Sequence, residues 1–525
     1  MIPRAAIRAF LNKARDDFRA YKKLSNAKLN KRVQSLPVKP PVWKKLQYDQ
    51  RVLFLAVVAT RQFAVWADTG IGKTLLSMAL ARYFRRAGVA HRFLVLVPNK
   101  VNLGEWAAER EKHCPGISFI TLDGPSAEKW EAVRDTAPLI TVATYGGVVR
   151  MVCKNQEVAR GRRAGETRLL PQPALVRELV ATFDGVFLDE SSADQAVQYK
   201  SSLAWRICNQ LSKKMHALNL PFIELSGTPF GRDPTPLWAQ MFLVDRGASL
   251  GPTLGLFRAA FYSESQNYWG GTEYTFSKKM SSTLHRLLAH RSLVVEADEA
   301  SLPPVVPILR EIILPNEAEE YCAIARDAVL SARGNYQETK NAFLRMRQIS
   351  SGFLGYTDDE TGARAKFAFD ENPKLESLLS LIESVVSSYK IVVFHEFIYS
   401  GDRIAEELRK RKIGFARLGA GADQPPDEVG QLFRTDPTCR VMINSNSMVT
   451  GPNWQIAKYA AFYESPVDPK KRKQARRRVE RQHSEHDRVF VVDFIVRGTY
   501  DQRILDFHAE GESLFEAIIA GRAQP

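Results

Sequence analysis

Cysteine is scarce in this chain and forms no pattern. Five stand among 525 residues, at positions 114, 153, 208, 322 and 439. Their number is odd and no pair is spaced as metal ligands are. This argues against a disulfide framework and a zinc module, and fits a reducing cytosol, bacterial or virus-infected, or a nucleus in a eukaryote. Long apolar runs are missing as well: none approaches the roughly 20 residues that cross a bilayer, so no membrane partner is expected. Basic residues near the N-terminus are not followed by a continuous apolar stretch, which argues against a secretory signal. There is no internal repeat. Acidic side chains are thin at the start, where residues 1–45 hold 13 Lys and Arg against only Asp16 and Asp17.

Apolar residues make up 45% of the sequence and charged residues 25%, ordinary values for a globular protein. The 74 Lys and Arg exceed the 58 Asp and Glu by 16. That excess favours a polyanionic partner, with plain solubility as the bland alternative. At this length one core is not enough, so two or three domains are expected.

The N-terminal residues read as a basic helical segment, with Ile7, Phe10, Leu11 and Phe18 at roughly helical spacing and Pro37, Pro40 and Pro41 ending it. From Leu46 short apolar strands alternate with helices: Phe63–Ala67, Phe93–Val97, Leu139–Ala143, Gly185–Leu188 and Phe222–Leu225. Buried strands in alternation with helices predict a parallel α/β sheet. The stretch 150–172 reads as a basic surface loop, and 232–345 as a mainly helical, aromatic-rich insertion. A second alternating unit follows, with strands at Ile391–Phe394, Phe415–Leu418, Val441–Ile443, Tyr459–Tyr463 and Val489–Phe494.

Three short segments carry chemistry, each placed just after a predicted strand, where such sheets bind ligands. The first, Ala67-Asp-Thr-Gly-Ile-Gly-Lys-Thr74, has the spacing of a phosphate-cradling loop, with Ala in place of the first Gly. Backbone N–H groups from Thr69, Gly70, Ile71 and Gly72 can face phosphate oxygens. The Lys73 ammonium reaches the β- and γ-phosphates, and the Thr74 hydroxyl ligates Mg²⁺. The helix that follows aims its positive end at the same anion. In the second segment, Leu188-Asp-Glu-Ser191, Asp189 would hold magnesium through water and Glu190 would orient and deprotonate the attacking water. The third, Ser226-Gly-Thr-Pro229, supplies two hydroxyls, Ser226 and Thr228, that can report the γ-phosphate state. Gln50, about 20 residues before the loop, has the donor and acceptor that adenine requires. In Gln474-Ala-Arg-Arg-Arg-Val-Glu-Arg-Gln482, Arg478 and Arg481 lie three apart, which would put them on one helix face as arginine fingers. The neighbouring Lys470, Lys471, Arg472, Lys473, Arg476 and Arg477 read as a solvated basic face or as phosphate contacts.

Together these segments resemble the superfamily 2 helicase-like ATPases, and within them the Swi/Snf-like branch of DNA translocases. The resemblance runs from about Leu46 to Leu505. Leu46–Gln50 looks like the adenine-reading Q segment, Leu96-Val-Pro98 with Trp106 like motif Ia, and Thr144-Tyr145 like motif Ib. Asn444–Trp454 looks like motif V, and Gln474–Gln482 like motif VI. The resemblance implies Gly451 at the nucleotide, and Trp106, Thr144, Tyr145, Ser445 and Asn453 in coupling or nucleic-acid contact. Three departures stand out: motif II reads Asp-Glu-Ser-Ser, motif V has Met448 and Val449 where glycines are usual, and motif VI has Glu480 where His is usual.

The fold implied is α/β, two RecA-like parallel-sheet lobes with a mainly helical insertion. The expected domains are a basic extension over 1–45, an ATP-binding lobe over 46–245, a helical crossing segment over 246–356, a linker over 357–372 and a second lobe over 373–525. The function implied is a monomeric, Mg-ATP-driven motor on double-stranded or branched DNA. Strand separation at forks in DNA or RNA is an alternative. A nucleic-acid-binding scaffold with weak ATPase is another, against which the full set of Lys73, Asp189, Glu190 and Arg481 argues. The 1–40 segment, which precedes Gln50, is expected to aid binding and to be dispensable for hydrolysis.

Overall fold

The computed structural model describes residues 2–508, apart from 69, 158–165, 194–195, 228, 230–233, 267–271, 297–301, 332–335, 358–361, 423, 449–452, 482–483, 500, 503 and 507. Thr69, Thr228 and Gly451, singled out above, lie outside the described residues. Backbone contacts divide the chain into one unit within Met1–Ser265 and Glu273–Ala297, and another within Asp298–Ser513.

The strands in chain order are β1 (Gln62–Ala67), β2 (Phe93–Val97), β3 (Phe119–Leu122), β4 (Ile140–Thr144), β5 (Cys153–Glu157), β6 (Thr167–Pro171), β7 (Gly185–Asp189), β8 (Phe222–Ser226), β9 (Tyr262–Gln266), β10 (Thr272–Phe276) and β11 (Ser292–Val295). Then come β12 (Val305–Ile312), β13 (Phe353–Thr357), β14 (Arg364–Ala368), β15 (Lys390–His395), β16 (Gly414–Leu418), β17 (Cys439–Ser445), β18 (Ala457–Phe462) and β19 (Val489–Val496).

The first unit holds a seven-stranded sheet in the order β11-β1-β8-β7-β2-β4-β3, with every neighbouring pair parallel. All residues of β1, β2, β7 and β8 are buried. Helices cover both faces of such a sheet, which is why its strands read as unbroken apolar runs. The order puts β8 between β1 and β7. The carboxyl ends of the three strands that lead into the phosphate loop, the acidic pair and the Ser-Gly-Thr-Pro segment therefore lie side by side.

The second unit holds a six-stranded parallel sheet in the order β12-β19-β18-β15-β17-β16. Alternate residues serve its two faces. Ile391, Val393, Val441 and Ile443 join one apolar cluster, and Val392, Phe394 and Met442 join the other. Both units are thus RecA-like α/β sheets.

The segment 246–356, read from sequence as a helical insertion, is divided between the units. It contributes β11 to the first sheet and β12 to the second. Helix Leu254–Phe261 packs Phe257 and Phe261 into the first core, whereas Asn316–Ser331 and Tyr336–Ile349 share a small cluster around Cys322, Met346 and Ile349 in the second unit. The expected linker at 357–372 contains β14, which pairs antiparallel with β13. The expected loop at 150–172 carries the antiparallel strands β5 and β6 at its ends.

The N-terminal residues, expected as a basic helical extension, pack against the first unit. They form helix Arg4–Asn12, a 3₁₀ turn at Phe18–Lys23 and helix Asn26–Gln34, the last capped by Ser25. The Phe18 N–H donates to Ala289 O (2.9 Å), and its ring packs edge-on against Phe63 of β1 at 5.2 Å. Leu29 has no exposed surface. Arg286 donates to Leu11 O, and Tyr48 Oη donates to Leu24 O. Removing this segment would uncover core, so its loss affects folding before it affects binding. Leu29→Ala is expected to destabilise the first unit by about 2–5 kcal/mol, the usual cost of emptying a buried leucine site. Chemical denaturation followed by tryptophan fluorescence measures this, and a midpoint equal to wild type would return the segment to the status of an appendage.

Candidate nucleotide site

The phosphate loop begins where β1 ends. Gly70 and Gly72 have φ of 102° and 79°. Both lie in the left-handed region open to glycine, and Gly72 caps helix Lys73–Arg86. A Cβ added at Gly72 would also stand 2.4 Å from Gln50 Nε2. That carboxamide donates to Ile71 O (2.9 Å) and Gly72 O (3.2 Å), while its Oε1 accepts from Gln47 N (2.9 Å). Gln50 therefore braces the loop from behind. In this arrangement its donor and acceptor are engaged by backbone, so the adenine contact expected of it would require them to exchange partners.

Lys73 donates from Nζ to Ala67 O (2.9 Å) and pairs with Glu190 Oε1 at 3.2 Å. Glu190 has φ 44°, a left-handed conformation that costs a non-glycine residue about 1 kcal/mol. In a regular strand the successive side chains Asp189 and Glu190 would point to opposite faces. The break at Glu190 frees its carboxylate from that alternation. Glu190 Oε2 is buried and has no hydrogen-bond partner among the described residues.

Asp189 ends β7 and is buried. Trp106 Nε1 donates to Asp189 Oδ2 (2.9 Å), and Tyr145 Oη donates to Asp189 O (3.0 Å). Burial pushes the Asp189 pKa up to about 6, with the neighbouring Glu190 charge adding to the rise and Lys73 opposing it. A buried carboxylate short of positive charge, a hydroxyl at Thr74 in the first turn of the following helix, and an orphaned Glu190 oxygen form a donor set that fits a hard divalent cation beside a polyphosphate.

The four residues of Asp-Glu-Ser-Ser all have partners or roles here. Ser191 Oγ lies 2.9 Å from Glu224 Oε1 and 3.0 Å from Gln240 Oε1. Ser192 Oγ lies 2.8 Å from Ser226 Oγ. The acidic segment is therefore hydrogen-bonded directly to the first residue of Ser-Gly-Thr-Pro.

Of the residues expected in coupling or nucleic-acid contact, Trp106, Tyr145 and Ser226 are buried and hydrogen-bonded to the acidic segment, Trp106 and Tyr145 to Asp189 and Ser226 to Ser192. Thr144 caps helix Tyr145–Val152, its Oγ1 accepting from Gly147 N (2.9 Å). Glu224 and Gln240 escaped the sequence reading. A single Glu inside the apolar run Phe-Ile-Glu-Leu was the available signal.

In the second unit the helix expected to carry both arginines ends early. It spans Pro469–Val479, so Arg478 is helical and Arg481 lies beyond the end, and the shared helix face does not exist. Trp454 N donates to Arg478 O (2.8 Å). Glu480 pairs with Arg476 (3.1 Å) and Arg477 (3.3 Å), and Arg472 pairs with Asp493 at 2.7 Å beneath the Phe462 ring. Much of this basic run is thus fixed inside the unit. Ser445 Oγ lies 2.9 Å from Ser447 Oγ, and Asn453 Oδ1 is buried with no hydrogen-bond partner among the described residues.

Several known proteins are similar to parts or most of this chain. Residues 15–145 match the family model of the type III restriction enzyme, res subunit. Protein p41 of Acyrthosiphon pisum secondary endosymbiont phage 1 is 22% identical over 474 residues, which is 87% of this chain and 94% of that protein. The SWI/SNF-related matrix-associated actin-dependent regulator of chromatin subfamily A-like protein 1 of Xenopus tropicalis is 21% identical over 67% of this chain, which spans only 32% of that relative. DNA repair protein rad8 of Schizosaccharomyces pombe is 31% identical over 26% of this chain and 12% of its own length. Among solved structures, the Sulfolobus solfataricus SWI2/SNF2 ATPase core in complex with dsDNA aligns over 91% of this chain and 93% of that one, at 18% identity and a TM-score of 0.36.

Two outcomes follow from the site. Glu190→Gln is expected to bind ATP and fail to hydrolyse it, because a carboxamide cannot accept the proton of water; nucleotide-binding fluorescence alongside phosphate release measures both, and loss of binding would make Glu190 structural. Trp106→Phe removes the indole donor from Asp189 and is expected to raise the magnesium concentration for half-maximal hydrolysis about tenfold, as loss of a group that orients a metal ligand does. An unchanged magnesium titration would refute that role.

Proposed function

We propose that the chain is a superfamily 2 helicase-like ATPase of the Swi/Snf-like kind, and that it couples magnesium-dependent ATP hydrolysis to movement along, or remodelling of, duplex DNA. The observation that carries this reading is the hydrogen bond between Ser192 and Ser226. It links the acidic segment beside the phosphate loop to the segment that can pass its state onward.

In the proposed reaction the loop around Gly70 and Gly72 cradles the phosphates, with the Lys73 ammonium on the β- and γ-groups. Thr74 and Asp189 would hold magnesium, which supplies neutralisation of charge on the phosphates. Glu190 orients the attacking water and accepts its proton. Lys73, which pairs with Glu190 at 3.2 Å, holds that carboxylate in place. Trp106 and Tyr145 fix Asp189, so a change at either registers in the metal site. Arg478 and Arg481 remain the candidates for stabilising the γ-phosphate charge from the second unit.

The excess of 16 basic side chains suits a phosphate backbone. Motors of this kind track phosphates and not base edges, so binding should depend little on sequence. The decisive measurement is ATPase rate with no polymer and with duplex, single-stranded and forked DNA and RNA, at two salt concentrations. Duplex DNA is expected to stimulate most, and affinity to fall with salt at a log–log slope of about −0.9 per phosphate neutralised. Stimulation confined to forks or single strands would move the assignment to strand separation, and no stimulation would leave a binding scaffold.

A further inference from the structure

One buried carboxyl takes no part in the nucleotide site. Glu224 is the middle residue of β8 and has no exposed surface. Its ladder neighbours are Ala64 on β1 and Leu188 on β7. It therefore lies between the strand that enters the phosphate loop and the strand that carries Asp189. No cation pairs with it among the described residues, and an ionised carboxylate there would be costly.

Its hydrogen bonds can be counted. Gln240 Nε2 donates to the carbonyls of Pro229 (2.7 Å) and Pro236 (3.2 Å). Carbonyls only accept, so the orientation of the amide is settled and Gln240 Oε1 needs a donor. Among the described residues Ser191 is the donor within reach, at 3.0 Å, and it also lies 2.9 Å from Glu224 Oε1. A hydroxyl has one proton. If it goes to Gln240, an ionised Glu224 receives nothing from Ser191; if it goes to Glu224, the buried Gln240 oxygen is left bare. The other carboxyl oxygen, Oε2, has no hydrogen-bond partner of normal geometry among the described residues, and neither does the Trp66 indole N–H that acts on this carboxyl. A proton on Glu224 resolves the conflict: the acid donates to Ser191 Oγ, and Ser191 donates to Gln240 Oε1.

We infer that Glu224 is carried as a neutral acid and acts as a positioning residue, holding Pro229 of the Ser-Gly-Thr-Pro segment to the Asp-Glu-Ser-Ser segment through Ser191 and Gln240. Burial pushes its pKa up to about 7, with Ser191 and Trp66 drawing it down and the charge of Asp245 adding to the rise. The other titratable groups around it are Tyr145 and the pair Asp189 and Glu190, of which Asp189 titrates near 6. A raised acid pKa gives stability that is complete below the ordinary glutamate range and lost as pH rises through about 7. Ionisation should break the chain of hydrogen bonds. The consequence for DNA-stimulated hydrolysis rests on the proposed function; the protonation state does not.

The test compares wild type with Glu224→Gln, whose amide donates to Ser191 at every pH, so that the shared titration of Asp189 cancels. Between about pH 6 and about pH 8, the DNA-stimulated rate of the variant relative to wild type is expected to rise about tenfold, the weight of one buried hydrogen bond. Infrared difference spectra of wild type minus variant, taken without DNA or nucleotide, are expected to show the carbonyl stretch of a protonated carboxyl at about pH 6 that fades towards about pH 8. Ser191→Ala is expected to lower DNA stimulation about tenfold across the whole range. Absence of the carboxyl band at the acid end overturns the inference even if DNA stimulation is normal. A flat rate ratio, with the band present, overturns the positioning role. A wild type that DNA does not stimulate at all would instead sink the proposed function and leave the infrared result to decide the state of Glu224.

Discussion

Two carboxylates at the buried end of one strand set the demands that the first unit answers. In the proposed reaction Asp189 and Glu190 must stay close together, away from bulk water, and ready for a cation and a water molecule. Like charges so placed repel, and burial penalises both. The remedies come from separate elements. Lys73 supplies charge from the helix after β1, Trp106 supplies a neutral donor from helix Lys100–His113, and Tyr145 fixes the main chain from a third helix. The left-handed turn at Glu190 is the backbone's contribution. None of these would be useful without β8 placed between β1 and β7, which brings the three strand ends into register.

The parts of this arrangement legible in sequence are those fixed by local rules. β1, β2, β7, β8 and the central strands of the second sheet appeared as apolar runs because helices cover both faces, and their ends fell within a residue or two of expectation. The phosphate loop was legible because its glycines and lysine are required by backbone geometry and charge. What stayed hidden was set by distant partners. β3 is half exposed and β12 alternates, so neither gives a continuous run. Trp106 read only as a coupling or polymer-contact residue, and its bond to Asp189 stayed hidden because a tryptophan in a motif does not disclose which way its indole points. Ser191 and Ser192 looked like mere departures from a family pattern until their partners on β8 and its neighbours came into view.

The basic helix of the second unit teaches a related lesson about charge. By count, the run from Lys470 to Arg481 is a cationic face. In the fold, Arg472 lies against Phe462 and Asp493, while Glu480 holds Arg476 and Arg477. Buried pairs of this kind contribute little net stability, yet breaking one leaves an uncompensated charge inside. The glutamate in place of the usual histidine is thus part of a network that decides which arginines remain available, and net charge overstates what the helix presents to a polyanion.

The stitching of the N-terminal segment has a consequence for synthesis. Phe18 is bonded to Ala289, and β1 is flanked by β11, which is made more than two hundred residues later. A nascent chain emerging at about 10 residues per second would wait about 20 s between exposing β1 and receiving the strand that closes its edge. During that interval a largely apolar strand and an open sheet edge face the cell together, conditions that invite pairing with other chains. The fold therefore carries a vulnerable period during translation, and its basic leading residues, solvated and mutually repelling until their partners arrive, are well suited to keep neighbouring chains apart while it lasts.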